Sequence, residues 1–264
     1  MLGTVVAPDG VSIRFETSGS GTPALVLVHG WCCDRSYWAK QIAPLSRRYQ
    51  VVTVDLAGHG ESGLNRQAWT MPAFGADVAA VVEHLGLEQV VLVGHSMGGP
   101  VVAEAARQLT GRVIGVVGAD TFRDLGVTFT PAQIAELLAP FRADFSATAR
   151  RYVAEMFPLS SPAGLMTWIV EDMAAAPPAV AIGAMENNRR YRGALAQTLR
   201  GLKAPVVAIN SDYRPNDLEA AQRCGVDIRL MSGTGHFVML EDPGTFNRLL
   251  EDAVREFTGA RARV

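Results

Sequence analysis

The chain has 264 residues, with 24 Lys+Arg against 26 Asp+Glu, 48% hydrophobic and 19% charged residues, 26 Gly, 14 Pro and 3 Cys. That composition is too apolar for a disordered chain, and a formal charge of −2 offers no global attraction to nucleic acid or to an acidic membrane, so neither is expected as a partner. The length accommodates one large domain or a domain carrying an insertion.

The first ten residues contain no basic stretch followed by a long apolar run, so neither a signal peptide nor a transmembrane anchor is expected. Cys32, Cys33 and Cys224 form a sparse set without zinc-ligand spacing, which points to buried free thiols in a reducing cytoplasm and to no metal site. Residues 11–17 alternate as a strand does. Residues 24–28, 51–54 and 90–93 are continuously apolar, as suits central strands buried on both faces. Residues 72–85 have helical spacing and stop at Gly86, and 112–119 read as a further strand ending at Asp120.

From 123 to 200 the pattern changes to helices separated by Pro and small residues, with breaks expected at Pro131, Pro140, Pro158, Pro162 and Pro177-Pro178. Strands resume at 205–209 and 226–230. Asp242-Pro243 then opens a terminal helix to about residue 257, with Asp242 as N-cap and Pro243 at the first helical position. The predicted fold class is therefore α/β, a mostly parallel central sheet flanked by helices. Residues 1–122 and 201–264 form the core, and 123–200 a helical insertion.

The strongest local signal is Gly94-His95-Ser96-Met97-Gly98-Gly99, a G-x-S-x-G pattern between the apolar run 90–93 and a helical stretch. As a bare pattern it is weak, and its placement is what gives it force. A sharp strand-to-helix turn holds the serine in a strained conformation that flanking glycines permit, so that Ser96 Oγ stands at the carboxyl end of the sheet. The backbone N–H of Met97, at the helix start, points toward the same space and suits an oxyanion.

These residues resemble the α/β-hydrolase superfamily, and three further segments carry the resemblance on both sides of the insertion. His29-Gly30-Trp31 follows the strand 24–28, where the family places its second oxyanion donor, implied here to be the N–H of Trp31. Asp55-Leu56-Ala57-Gly58-His59-Gly60-Glu61-Ser62 matches the family's D-x-x-G-x-G-x-S turn. Gly235-His236 lies before the terminal helix, where the resemblance implies the general base. Of the other histidines, His29 precedes the oxyanion loop, His59 sits in the structural turn, His84 lies late on a helix, and His95 points away from Ser96 by strand alternation.

The acid departs from the family pattern. Its usual loop follows the strand 205–209, and there Arg214 stands where an aspartate is expected. Two carboxylates compete. Asp212 lies two residues early in the same loop, and Asp120 ends the preceding core strand, a position that certain haloalkane dehalogenases use. Asp120 is preferred because a strand end is held more rigidly than a shifted loop. Asp217 fits the first turn of a helix better.

The resemblance implies a serine hydrolase acting on an ester, lactone or related acyl bond of a small-to-medium hydrophobic molecule, with 123–200 as a helical cap and no cofactor. A serine nucleophile argues against dehalogenase and epoxide-hydrolase chemistry, which use aspartate there. A cofactor-free oxygenase, perhydrolase, C–C hydrolase or lyase on the same fold, or a non-catalytic receptor, are the alternatives. Trp31, His95, Phe122 and Trp168 are the candidate substrate contacts. Arg150-Arg151 and Arg189-Arg190 suit exposed helix faces better than a substrate carboxylate. The partner expected is a small-molecule substrate; the oligomeric state stays open.

Overall fold

The seven runs read as strands, joined by an eighth strand near the start of the chain, form one eight-stranded sheet in the computed structural model, which describes residues 1–261. The final residues of the sequence-assigned core, 262–264, lie outside the described residues. The strands are β1 (Leu2–Val6), β2 (Ser12–Ser18), β3 (Ala24–Val28), β4 (Gln50–Val54), β5 (Val90–His95), β6 (Val113–Ala119), β7 (Val206–Ser211) and β8 (Val226–Met231). Their order is β1-β2-β4-β3-β5-β6-β7-β8; β1, β2 and β4 pair antiparallel and all other neighbours pair parallel. Every residue of β3 and β5 is buried, which is why these central strands read as unbroken apolar runs.

β1 was not legible as a strand, because it lies at the edge and buries no residue fully. Pairing with β2 secures it. The connecting turn closes with hydrogen bonds from Ala7 N to Val11 O (2.8 Å) and from Gly10 N to Ala7 O (2.9 Å).

Ten α-helices and one short 3-10 helix (Arg35–Trp38) are assigned among the described residues. On the core are α1 (Ala39–Leu45), α2 (Met71–His84), α3 (Gly98–Gln108), α8 (Leu218–Arg223), α9 (Val238–Glu241) and α10 (Pro243–Arg261). Asp242 Oδ1 accepts from Thr245 N (3.0 Å) at the start of α10, and Asp217 caps α8 through Ala220 N (2.9 Å). Between β6 and β7 lie α4 (Pro131–Ala143), α5 (Phe145–Ala154), α6 (Ala163–Ala174) and α7 (Pro178–Gly201). Pro131 and Pro178 open helices and Pro158 and Pro162 separate two of them. Pro140 instead sits inside α4. It lies in the last turn, and its carbonyl is kept in use by Asp144 N (3.0 Å) and Thr148 Oγ1 (3.0 Å). Among the described residues no single helix is long and apolar enough to cross a membrane.

The parallel register aligns the carboxyl ends of the central strands: Val28 opposite Gly94, Gly94 opposite Gly118, and Ala119 opposite Ile209. The turns that follow β3, β5 and β6 therefore open side by side, bringing Trp31, Ser96 and Asp120 to one edge of the sheet. In such sheets ligands bind beyond that edge.

Candidate active site

Ser96 occupies the turn between β5 and α3 with φ of 51°, in the left-handed region that costs a non-glycine residue about 1–3 kcal/mol. Its N–H donates to Ala119 O on β6 and its carbonyl accepts from Gly99 N, both at 3.0 Å. The turn is so tight that a Cβ on Gly94 would lie 2.2 Å from Gly98 O, which explains the glycine before the serine.

His236 enters from the loop before α9. Its Nε2 lies 2.9 Å from Ser96 Oγ and its Nδ1 2.5 Å from Asp120 Oδ2. Glu241 organises this loop, accepting from Gly235 N (2.9 Å), Phe237 N (3.1 Å) and Ser161 Oγ (2.6 Å). The His236 N–H donates to Met156 O (3.0 Å), which ties the histidine to the helical segment.

Asp120 follows β6 directly, only 3% exposed and with φ of 48°. Its N–H bonds Ile209 O of β7 (2.9 Å), and its Oδ1 accepts from Ser211 N (2.8 Å) and from the Arg123 guanidinium. Burial alone raises its pKa, but the hydrogen bond and charge of His236, together with Arg123 and Ser211 N–H, outweigh it and hold the carboxyl below its ordinary range. Asp212 stands apart: its N–H closes onto Met231 O (3.1 Å) while the residue is exposed. Ser96, His236 and Asp120 thus come together, and Asp212 does not join them.

His95 is buried at 1% exposure, and burial, reinforced by the nearby His236, drives its pKa down to about 3. It is neutral, and its Nε2–H donates to the His236 carbonyl (3.0 Å). Although strand alternation turns it away from the Ser96 side chain, it braces the loop that carries His236. Trp31 is fixed from the helical side, its Nε1–H donating to Ala181 O on α7 (2.7 Å) and its ring set edge-on to Phe141 (5.7 Å) and Tyr152 (5.9 Å).

A cavity of about 200 Å³ opens over Ser96, walled by core residues Trp31, His95, Met97 and Phe122 and by Tyr152, Met156, Met173 and Met185 of the helical segment. Three of the four expected substrate contacts line it; Trp168 does not. α6 turns Ile169 and Met173 inward, and Trp168, one position off that face, is 40% exposed with its ring 5.0 Å from Tyr37. Arg123, Arg189, Arg192, Arg214 and Asp124 also line the cavity. Arg123 was missed, although an arginine three residues after a strand-end aspartate was the available signal. The adjacent arginines divide: Arg150 pairs with Glu171 and Arg190 with Glu186 on the surface, whereas Arg189 faces the cavity. Cys32, Cys33 and Cys224 are buried and free.

Over 111 residues the chain is 44% identical to a non-heme haloperoxidase of Rhodococcus erythropolis, covering 41% of this chain and 40% of that protein. Over 104 residues it is 38% identical to a bifunctional esterase/perhydrolase of Acinetobacter calcoaceticus, covering 39% of this chain and 38% of that one. The matches thus span well under half of these curated relatives. A thermophilic esterase from Thermogutta terrifontis superposes with a TM-score of 0.85 at 23% identity, over 97% of this chain and 99% of that one, a likeness of fold. A family model described as the alpha/beta hydrolase family matches residues 25–249, and the chain belongs to that family.

Proposed function

We propose that the protein is a serine hydrolase that cleaves a carboxylic ester or lactone through an acyl-enzyme. The observation that carries this reading is the continuous chain from Ser96 Oγ to His236 Nε2 (2.9 Å) and from His236 Nδ1 to Asp120 Oδ2 (2.5 Å). A serine hydroxyl needs a base to become nucleophilic near neutral pH. His236 takes the Ser96 proton as Oγ attacks the acyl carbon, then returns it to the leaving alcohol. Water repeats the cycle on the acyl-enzyme. Asp120 holds the Nδ1–H tautomer and stabilises the imidazolium that forms at each step. The N–H groups of Trp31 and Met97 are assigned to the oxyanion; the clamp from Trp31 Nε1 to Ala181 supports the first by fixing its residue.

Residues 123–200 act as the cap in this reading, supplying Tyr152, Met156, Met173 and Met185 to the substrate cavity. Trp31, Phe122 and His95 contribute the core wall. The substrate is a small molecule, and the buried free thiols support a cytoplasmic setting.

The test is labelling with a fluorophosphonate probe together with a pre-steady-state burst on para-nitrophenyl acetate. Wild type labels and bursts, and Ser96→Ala does neither. Absence of labelling in folded wild type would refute an activated serine. The stretch shared with an esterase/perhydrolase favours a second reading, in which hydrogen peroxide replaces water as acyl acceptor. Peracid formation from acetate esters and peroxide separates the two.

A further inference from the structure

We propose that the cavity over Ser96 takes substrates carrying a carboxylate in addition to the scissile acyl group, with Arg189 as the direct partner and Arg214 adding charge at the mouth. The proposal rests on the reading of Ser96 as the nucleophile for its position in the reaction, and on the charge of the cavity for its substance.

Four arginines and two aspartates line the cavity. The two aspartates are already engaged. Asp120 is held by Arg123, and Asp124 is gripped in a fork by Arg192, at 2.5 Å from Nη1 and 3.0 Å from Nη2. Among the described residues no carboxylate lies within ion-pair distance of Arg189 or Arg214. The Arg189 Nη2 donates to Tyr152 Oη (3.2 Å), and the Arg214 Nη2 to the backbone carbonyl of Glu155 (2.9 Å). The lining arginines therefore outnumber the lining aspartates by two, and Arg189 and Arg214 are the two without a carboxylate partner.

Position makes that excess informative. An unpaired arginine on an open surface is merely solvated, but a cleft with apolar walls focuses its field on whatever enters. Arg189 is only half-buried, yet its Nε is buried without an acceptor. Its guanidinium lies over the Phe129 ring at 5.2 Å. Stacked on one face and tied to Tyr152 at one end, it is held in place with donors to spare, and its planar fork matches a carboxylate. The neighbouring Asn188 also lines the cavity with a buried amide oxygen that has no partner; with the amide reversed, the same site offers an N–H to an anion. Arg214 is exposed, which places it at the entrance. Neither group is needed for the proton transfers assigned to His236, so their charge is available for selecting the substrate.

The test compares kcat/KM for mono-para-nitrophenyl adipate and para-nitrophenyl hexanoate, corrected for spontaneous hydrolysis. Wild type prefers the acid ester by at least about tenfold at low salt, Arg189→Met removes most of that preference mainly through KM, and Arg189→Lys restores part of it. Arg214→Met lowers the preference less, and keeps the test open if Arg189→Met does not fold. A ratio near one in wild type, or one unchanged in both arginine variants, overturns the proposal while leaving the acyl-enzyme reading intact. Calorimetric titration of Ser96→Ala with adipate separates the two. Saturable binding that Arg189→Met abolishes supports the charged subsite even if neither ester is turned over, and no binding counts against it. Inorganic phosphate binding as tightly as adipate overturns the assignment to a carboxylate.

Discussion

Replacing Asp120 by asparagine alters the hydrogen-bond inventory of the site in a way the structure specifies. The carboxylate accepts from Ser211 N and the Arg123 guanidinium through Oδ1, and from His236 Nδ1 through Oδ2. An amide has one acceptor oxygen and an NH2 group that only donates. If the oxygen stays with Ser211 and Arg123, the NH2 faces His236 and the ring must present a bare Nδ1. The proton then sits on Nε2, 2.9 Å from Ser96 Oγ, and the base can no longer take the serine proton. The same exchange in a Ser-His-Asp template lowers kcat by about 10⁴-fold, or roughly 5.4 kcal/mol of transition-state stabilisation. The variant also leaves Arg123, whose side chain is only 16% exposed, without its counter-charge, so a lower melting temperature is expected. The assay is the initial rate on para-nitrophenyl acetate, with folding of each variant checked by circular dichroism. Asp212→Asn serves as the comparison and stays close to wild type. Asp120→Asn retaining activity within about tenfold of wild type while Asp212→Asn loses it would refute the reasoning.

Three further outcomes follow from other parts of the molecule. In Gly30→Ala the new Cβ falls 2.8 Å from His95 Nδ1 and 3.2 Å from Ser96 Cβ, so kcat drops by about tenfold or more while the far-ultraviolet spectrum is retained; unchanged kcat would show that the loop shifts freely. Glu241→Ala releases Gly235 N, Phe237 N and Ser161 Oγ together, and is expected to lower kcat more than it raises KM; an effect on thermal stability alone would contradict a positioning role. Burial holds His29 at a pKa of about 4 and His59 and His95 at about 3, so the fold keeps them neutral where the unfolded chain takes up protons. Their folded pKa values lie below the unfolded value, so this stability is complete above about pH 6.5 and is lost as pH falls toward 4, at up to about 1.4 kcal/mol per pH unit for each histidine. Urea denaturation from pH 7 to pH 4.5 measures the slope, and a flat profile would contradict it.

The sheet was legible because its central strands are buried on both faces, leaving unbroken apolar runs at 24–28 and 90–93 that no half-exposed helix would show. Edge strand β1 left no such mark. Asp120 was legible through mechanics: a residue directly after a core strand inherits the rigidity of the sheet, here through its N–H bond to Ile209 and its carboxylate bond to Ser211. Trp168 failed because aromatic character within a helix does not reveal which way the helix is turned; one residue of rotation separates it from Met173's face. Pro140 failed because a proline in the last turn removes a single N–H donor and leaves only three residues of helix beyond it, so little helix has to continue past the disruption. Arg189 and Arg190 are indistinguishable by composition. Arg190 follows Glu186 by four residues on α7 and pairs with it there, whereas the turn of Arg189 to the cavity depends on how α7 packs on the core.

The central claim is that Ser96 carries the acyl group, and intact-protein mass spectrometry of acid-quenched reactions tests it most directly. Mixing with para-nitrophenyl acetate should give wild type one added acetyl group that peptide mapping places on Ser96, with accumulation greatest in Asp120→Asn if deacylation is slowed more than acylation. Ser96→Ala should show no adduct and no turnover. Turnover by Ser96→Ala at the wild-type rate, or an acetyl group mapped to another residue and required for turnover, would contradict the account.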